Sequence, residues 1–524
     1  MIDFPPLTLP DIISSHRRWR PTHCAAICGE RSVTWDELIA RIHRVANALI
    51  ANGLRKGEPV CLLMNNSIEM LELMLGTIKA GGVIAPLSPL MSGDSVEGMV
   101  RHAGARYLFA AADTLAMVEP ARPRLTDRLA GAPVTVGPAP DGWVGYEDWL
   151  AGNGDVEPAI GIGFQDSISI LYTSGTTGMP KGMEHSHFSR LLYPLVLGRL
   201  LKIEADCRVV LATPMCHNGT WVTMLPALYA GGTVIILEKF SAAGFLDAVA
   251  RQAGSHAFLV PTQLNLLLAE PALAHADMSA LQLIELAGSP LAPSSFQRAR
   301  QMLPHVELCE IYGMAEGFMT YVGPDDYARG KAGTVGRPIV SLGTDIRLIG
   351  DDESEVGVGE IGEVVGRSAL LLKGYHHDPE RTRKSLWSDG AGREYLRSGD
   401  LAWYDADGYL NLVGRKKDMI ISGGINVYAA DIENVFMRRP DVIDVAAIGV
   451  PHEKWGETPL LLAIMRAGAA TSEAELMAWG NERLGKTQRV SAVEFRPSFP
   501  RNTLDKILKR ELRAPYWRGH ERDI

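Results

Sequence analysis

The 524-residue chain is poor in cysteine, with six, and only Cys24 and Cys28 lie close together. No second pair completes a zinc set, so packed, reduced thiols are the plain reading, and they fit a cytoplasmic protein. A basic excess is also missing: the net charge is −9. That excludes binding of nucleic acid or an anionic membrane through bulk charge, though not a local basic pocket for phosphates. No apolar run approaches 18 residues. The best stretch, Leu71 to Leu90, is broken by Glu72, Lys79 and several Gly and Pro, so no membrane span is expected. Met1-Ile2-Asp3-Phe4-Pro5-Pro6 lacks the basic and apolar regions of a signal peptide. Glu521-Arg522-Asp523-Ile524 carries no peroxisomal or lipidation signal. There is no repeat at a fixed period and no long low-complexity segment.

What is present reads as a soluble globular protein. The hydrophobic fraction is 46% and the charged fraction 22%, enough to bury a large core without staples. The length suggests about three units of roughly 150 residues. Helical and strand patterns alternate: a helix from Trp35 to Leu54, a strand from Val60 to Met64, a helix from Ile68 to Ala80 closed by Gly81-Gly82, then a strand from Val83. The same rhythm recurs near Arg208 to Leu237 and Phe258 to Ala287, which predicts an α/β architecture with mostly parallel sheet. The Pro-, Gly- and Asp-rich stretch from Ala121 to Gly163 reads as a connector ahead of a strand from Ile168 to Tyr172. Short β segments from Val335 to Val413 predict a small β subdomain, and the composition changes again after Gly414. We therefore expect an N-terminal domain over 1–414 and a smaller C-terminal domain over 415–524.

The sharpest string is Tyr172-Thr173-Ser174-Gly175-Thr176-Thr177-Gly178-Met179-Pro180-Lys181-Gly182, directly after the apolar Ile168 to Leu171. Glycines let a backbone turn tightly and aim N–H groups at an anion. The hydroxyls of Thr173, Ser174, Thr176 and Thr177 add donors, and Lys181 adds positive charge. It is not a Walker A loop, because the Gly-to-Lys spacing differs and no Ser or Thr follows the lysine. Nor does a G-x-G-x-x-G open a helix after a first strand. A polar surface hairpin is the bland alternative.

With this loop and further motifs in matching order, the chain resembles the adenylate-forming enzymes over nearly its whole length, from about Trp35 to Leu512. These include acyl-CoA synthetases, aryl-CoA ligases, peptide-synthetase adenylation domains and luciferase. The resemblance implies a large N-terminal domain of two α/β lobes plus a small β subdomain, and a smaller mobile α+β C-terminal domain. It implies ATP, Mg²⁺ and coenzyme A as reactants or cofactors and a small carboxylic acid as substrate. A carboxylate attacks the α-phosphorus of ATP, pyrophosphate leaves, and a thiol then displaces AMP. Both steps move negative charge, so positioned cations and N–H donors supply most of the catalysis.

The same resemblance assigns roles. In Ile311-Tyr312-Gly313-Met314-Ala315-Glu316, Tyr312 stacks on adenine, Gly313 and Met314 border the nucleotide, and Glu316 binds magnesium, with Thr173 as a second metal contact. Gly288 and Ser289 in Ala287-Gly288-Ser289-Pro290-Leu291 border adenine and acid. Asp400 in Arg397-Ser398-Gly399-Asp400 takes the ribose hydroxyls, and Arg415 reaches ribose or phosphate. Lys417 is the hinge. Gly423 and Gly424 shape the thiol channel, with Trp455 against the pantetheine arm. Lys506 contacts acid and ATP during adenylation; with Thr176, Glu316 and His217 it makes up the catalytic set. Two strings depart from the family pattern: Asp505 stands where Gly is common, and Gly485 to Val490 lacks the usual Tyr-Lys-Val-Pro-like string, which leaves the register of Lys486 and Arg489 toward CoA open.

The acid pocket is expected along Pro214 to Trp221, with His217 as gate and Asn218, Gly219, Trp221, Gly313, Met314 and Phe318 as walls. These strings hold no Arg or Lys, which favours a fatty or aromatic acid over a dicarboxylate. Bland readings remain for several residues: a core tyrosine and helix-start carboxylate for Tyr312 and Glu316, a plain turn for Gly288, a structural histidine for His217 and a packing aromatic for Trp455. An acyl-CoA ligase is the leading reading. Transfer to a carrier protein or other acceptor is the alternative, and a catalytically silent nucleotide binder is a third. Homo-oligomer formation and the identity of the acid stay open.

Overall fold

The computed structural model describes residues 7–89, 93–173, 181–501 and 506–518. The chain divides into two compact units. One comprises Met1–Gly333, Pro338–Asp345 and Arg367–Leu386; the other comprises Thr334–Arg337, Ile346–Gly366 and Trp387–Ile524.

The first unit holds two large sheets. In one, Glu307–Gly313, Leu283–Leu286, His256–Leu259, Arg208–Leu211, Thr233–Ile236 and Cys24–Cys28 lie side by side and parallel. Antiparallel partners Met319–Val322 and Arg31–Thr34 flank them. In the other, Ser167–Thr173, Val83–Leu87, Pro59–Leu63, Tyr107–Ala111 and Val134–Val136 run parallel, and Lys181–Ser186 pairs antiparallel with Ser167–Thr173. Strands such as Val83–Leu87 and Thr233–Ile236 are buried along their whole length, as expected for parallel strands covered on both faces. The mostly parallel α/β architecture that the alternating pattern predicts is thus present, in the two lobes that the resemblance implies.

The connecting helices start where their sequences say they should. Thr34 caps Trp35–Ala51 through the Glu37 amide, and Glu37 returns the bond to Thr34. Ser67 caps Ile68–Lys79. These side chains satisfy amides that a helix start leaves without partners. The two helices pack closely at Gly76, where a Cβ would lie 2.5 Å from Val45.

The second unit holds two smaller sheets. One contains Asp345–Ile349, Gly362–Arg367, Glu394–Tyr404, Leu386–Ser388 and Leu410–Arg415, and is the expected β subdomain. The other contains Ile425–Val427, Ile420–Ser422, Gly456–Met465, Val442–His452 and Ala492–Phe495, with helices Ala429–Phe436 and Glu473–Asn481. The boundary expected after Gly414 falls inside this unit, within Leu410–Arg415. Among the described residues, no helix is long and apolar enough to cross a membrane.

Candidate active site

Strands Ser167–Thr173 and Lys181–Ser186 pair so that Thr173 faces Lys181 and Tyr172 faces Gly182. The glycine- and hydroxyl-rich string therefore joins two register partners at the end of a buried strand pair. Ser174, Gly175, Thr176, Thr177 and Gly178, and the side chain of Thr173, lie outside the described residues. Near the base of this pair Glu184 meets Ser167, Lys373 and His376. The His376 bond and these neighbours hold its carboxyl down at about 2, so it is a fixed negative charge beside the strand.

Tyr375 brings the second motif to this strand. Its backbone pairs with Met183, and its hydroxyl donates to Glu316 Oε1 at 3.0 Å. The Glu316 carbonyl accepts from the Leu372 amide at 2.8 Å, and His185 Nε2 lies 2.8 Å from the Ala315 carbonyl. His185 is fully buried and its pKa is driven well below the usual value by burial, so the neutral ring donates there. The turn between Gly313 and Met319, which are register partners, is tight. Gly317 has φ +118°, and a Cβ on it would lie 2.1 Å from the Leu370 carbonyl oxygen. A Cβ on Gly313 would lie 2.6 Å from the Phe318 carbonyl oxygen. Tyr312 is half-buried opposite Thr320 on the same hairpin. Met314 starts the turn, its carbonyl accepting from Gly317.

Gly288 follows Leu283–Leu286 with φ +92° and would place a Cβ 3.4 Å from Val260; Ser289 beside it is exposed. Glu310 anchors this turn by accepting from the Leu291 amide and from Tyr327.

The expected acid-pocket string is clamped by Asn66, which accepts from the Met215 amide at 2.7 Å and donates to Thr213 and Leu237 carbonyls. His217 precedes the helix Asn218–Ala230. Burial pulls its pKa down to about 4 and its Nε2 has no hydrogen-bond partner among the described residues. Asn218 bonds the Tyr193 hydroxyl, and a Cβ on Gly219 would meet the Phe258 ring at 2.7 Å. Trp221 and Phe318 are fully buried, and Trp221 spends its N–H on the Met215 carbonyl. Cys216, buried with its thiol pushed up to about 12, is no nucleophile at neutral pH.

In the second unit Asp400 and Arg415 are register partners and form an ion pair at 3.0 Å. Lys506 feels the charge of both. Desolvation, and then the Arg415 charge, lower its pKa to about 8 against the pull of Asp400 and Asp418, with Lys417 adding to the drop. The side chain keeps an exposed surface, so this desolvation comes from protein around the ammonium and not from full enclosure. Lys417 sits in the turn Lys416–Asp418, its carbonyl facing Arg513 at 3.3 Å. Gly423 and Gly424 form the two-residue turn between Ile420–Ser422 and Ile425–Val427, both at positive φ (+59° and +81°), where glycine is favoured. Trp455 closes over this turn. Its carbonyl accepts from the Gly423 amide at 2.8 Å, and a Cβ on Gly423 would lie 2.7 Å from its ring. Trp455 is 46% exposed and carries Lys454 4.5 Å from its ring centroid.

Residues 15–376 match the AMP-binding enzyme family, and residues 431–506 match the AMP-binding enzyme C-terminal domain. The chain belongs to this family. It is 32% identical to the indoleacetate–CoA ligase of Aromatoleum aromaticum over 97% of this chain and 98% of that one. It is also 32% identical to a long-chain-fatty-acid–CoA ligase of Mycobacterium tuberculosis over 92% and 93%. Its fold matches the crystal structure of an anthranilate–CoA ligase in complex with anthranoyl-AMP, with TM-score 0.89 and 25% identity over 98% of both chains. The AMP-binding family thus spans acids of very different shape around one adenylating frame. Within that frame, Tyr375, His185, Asn66 and Glu310 hold the motif residues in place, and none stands in a motif. A pairing such as Tyr375 with Glu316 joins distant residues, and no local spacing signals it.

Proposed function

We infer that the chain is an AMP-forming acid–thiol ligase that activates a carboxylic acid with ATP and passes the acyl group to coenzyme A. The observation that carries this reading is the attachment of Glu316, through Tyr375, to the strand that begins at Lys181. This ties two motifs of opposite charge to one strand. The Asp400–Arg415–Lys506 cluster and the Gly423–Trp455 turn support it from the second unit.

In this reading Thr173 to Gly178 and Lys181 take the phosphates. Tyr312, Gly313, Met314, Gly288 and Ser289 border the base, and Asp400 and Arg415 take the ribose. Lys506 steadies charge on the acid carboxylate during adenylation, a task suited to a point charge on a flexible arm. Magnesium fits the single carboxylate of Glu316 and the Thr173 hydroxyl, since this ion takes most of its ligands from phosphate and water; when bound it neutralises phosphate charge. Residues 415–524 form the moving part, with Lys417 at the pivot. Gly423, Gly424 and Trp455 receive the thiol arm. The protein acts in the cytoplasm, in keeping with its free thiols.

The test is product analysis by mass spectrometry after incubation with ATP, Mg²⁺, CoA and a broad panel of acids. An acid-dependent thioester with AMP and pyrophosphate is the expected result. Acyl-AMP that persists with CoA and is consumed only by a carrier protein would replace CoA as acceptor. Absence of both products with every acid would contradict the reading.

A further inference from the structure

Arg190 lies on the helix His187–Leu192 and is 1% exposed. Its guanidinium faces two aromatic rings, with the central carbon 4.7 Å from the Tyr193 centroid and 5.3 Å from the Trp221 centroid. Nε and Nη2 are buried and have no hydrogen-bond partner, and no ion pair to Arg190 occurs among the described residues. Two other buried charges of this unit are matched, while Glu285, buried with neither oxygen bonded, is pushed toward its neutral form by burial. Lys79 reaches Asp11 and Glu157 at 2.9 and 2.5 Å, and Glu72 accepts from Arg41 and Tyr146. A guanidinium does not shed its proton in a protein interior, and an uncompensated buried charge is among the costliest groups to keep. Two faces of aromatic ring return only part of that cost.

The two orphaned nitrogens lie on the same side of the guanidinium and form one fork. Elsewhere in this protein that same edge grips a carboxylate: Arg397 places Nε and Nη2 on the two oxygens of Glu363 at 3.2 and 2.8 Å, and Arg439 does so with Asp441 at 2.8 and 2.7 Å. At Arg190 the same fork is formed, and among the described residues no carboxylate meets it. Its surroundings tie it to the string Pro214 to Trp221. Tyr193 bonds Asn218 with its hydroxyl, and Trp221 stands one helical turn, about 5.4 Å, beyond His217. His185, whose ring feels the Arg190 charge, is held neutral by burial and adds no second cation.

We propose that Arg190 is a specificity-determining residue that binds a second oxyanion, a carboxylate or sulfonate, at the far end of a short acid substrate. The proposal rests on the ligase reading above for the location of the acid pocket. It reverses the preference for a fatty or aromatic acid drawn from strings without Arg or Lys: the cation is supplied from a separate helix. Bidentate pairing of the orphaned fork discriminates strongly, because an acid without the second anion leaves the guanidinium buried and unpaired.

The experiment uses the full chain and its Arg190→Met and Arg190→Lys variants. The acids are C3 to C6 dicarboxylic acids, the matching ω-sulfonated acids, and monocarboxylic acids of equal length. Two readouts are taken: kcat/KM for acid-dependent pyrophosphate release, and the shift in melting temperature with each acid alone. Wild type is expected to prefer one anion-bearing series over the monoacids, and which series leads separates carboxylate from sulfonate. Arg190→Met is expected to lower kcat/KM for that series at least about 100-fold and to leave monoacids within about threefold. Arg190→Lys is expected to keep part of the preference. A wild type that ranks monoacids above every dianionic acid overturns the proposal, even where a variant fails to fold. So does an Arg190→Met protein with an unchanged ranking, which would make Arg190 a packing residue. If no acid releases pyrophosphate, an Arg190-dependent melting shift specific to the anion-bearing acids upholds this proposal while the ligase reading falls. Absence of that shift rejects both.

Discussion

The hydroxyl of Tyr375 donates to Glu316 at 3.0 Å from a strand whose neighbour begins at Lys181. One bond thus orients the carboxylate proposed for magnesium from the sheet that carries the proposed phosphate loop. Tyr375→Phe removes it without removing the ring. A hydrogen bond to a charged group is worth about 1.5–3 kcal/mol. We expect kcat/KM for MgATP to fall about ten- to hundredfold, with a raised Mg²⁺ requirement and an unchanged fold. Steady-state kinetics at varied Mg²⁺ check this.

Lys506→Ala is expected to cut adenylation by roughly two to four powers of ten, the range for loss of one preorganised charge, while sparing thioester formation from supplied acyl-AMP. Single-turnover measurement of each half-reaction separates the two. Equal damage to both would refute this division of labour.

The lowered pKa of Lys506, about 8, predicts a pH dependence. The charged ammonium is needed, so kcat/KM for adenylation should descend as pH rises through about 8. Lys506→Arg should move that limb upward, because a guanidinium stays charged. The sign for stability follows from the same shift. The folded state holds this proton less tightly than the unfolded chain, so the group costs stability below about 8. That cost fades as pH rises from the folded value toward the ordinary lysine value. Rate profiles and melting temperatures across pH 6–10 test both.

Gly423→Ala puts a side chain at φ +59° and 2.7 Å from the Trp455 ring. The left-handed backbone alone costs roughly 1–2 kcal/mol. We expect thioester formation to slow by an order of magnitude or more with adenylation nearly intact, again read by separated half-reactions.

The run of strands and helices from Trp35 onward was legible in the sequence because it follows from local rules, whereas Asp400, Arg415, Gly423 and Gly424 were singled out only through the family resemblance. The α/β class and its mostly parallel sheets followed from apolar strands alternating with amphipathic helices, and the division into two lobes from the resemblance. Arg190, Tyr375, His185 and Asn66 were not legible as site residues. Their roles depend on partners dozens to more than a hundred positions away, and nothing in a local pattern encodes such a meeting. Trp221 shows the converse. Its place in a motif suggests a pocket wall, yet the packed environment engages its N–H with Met215 and turns its ring toward Arg190.

The most direct test of the central claim is acid-dependent exchange of labelled pyrophosphate into ATP by the full chain, with Mg²⁺ and without CoA. Exchange reports reversible formation of acyl-AMP and nothing later. We predict exchange with at least one acid of the panel, reduced by two or more powers of ten in Lys506→Ala. Exchange without any acid, or none with every acid while the protein still binds ATP, would contradict the account.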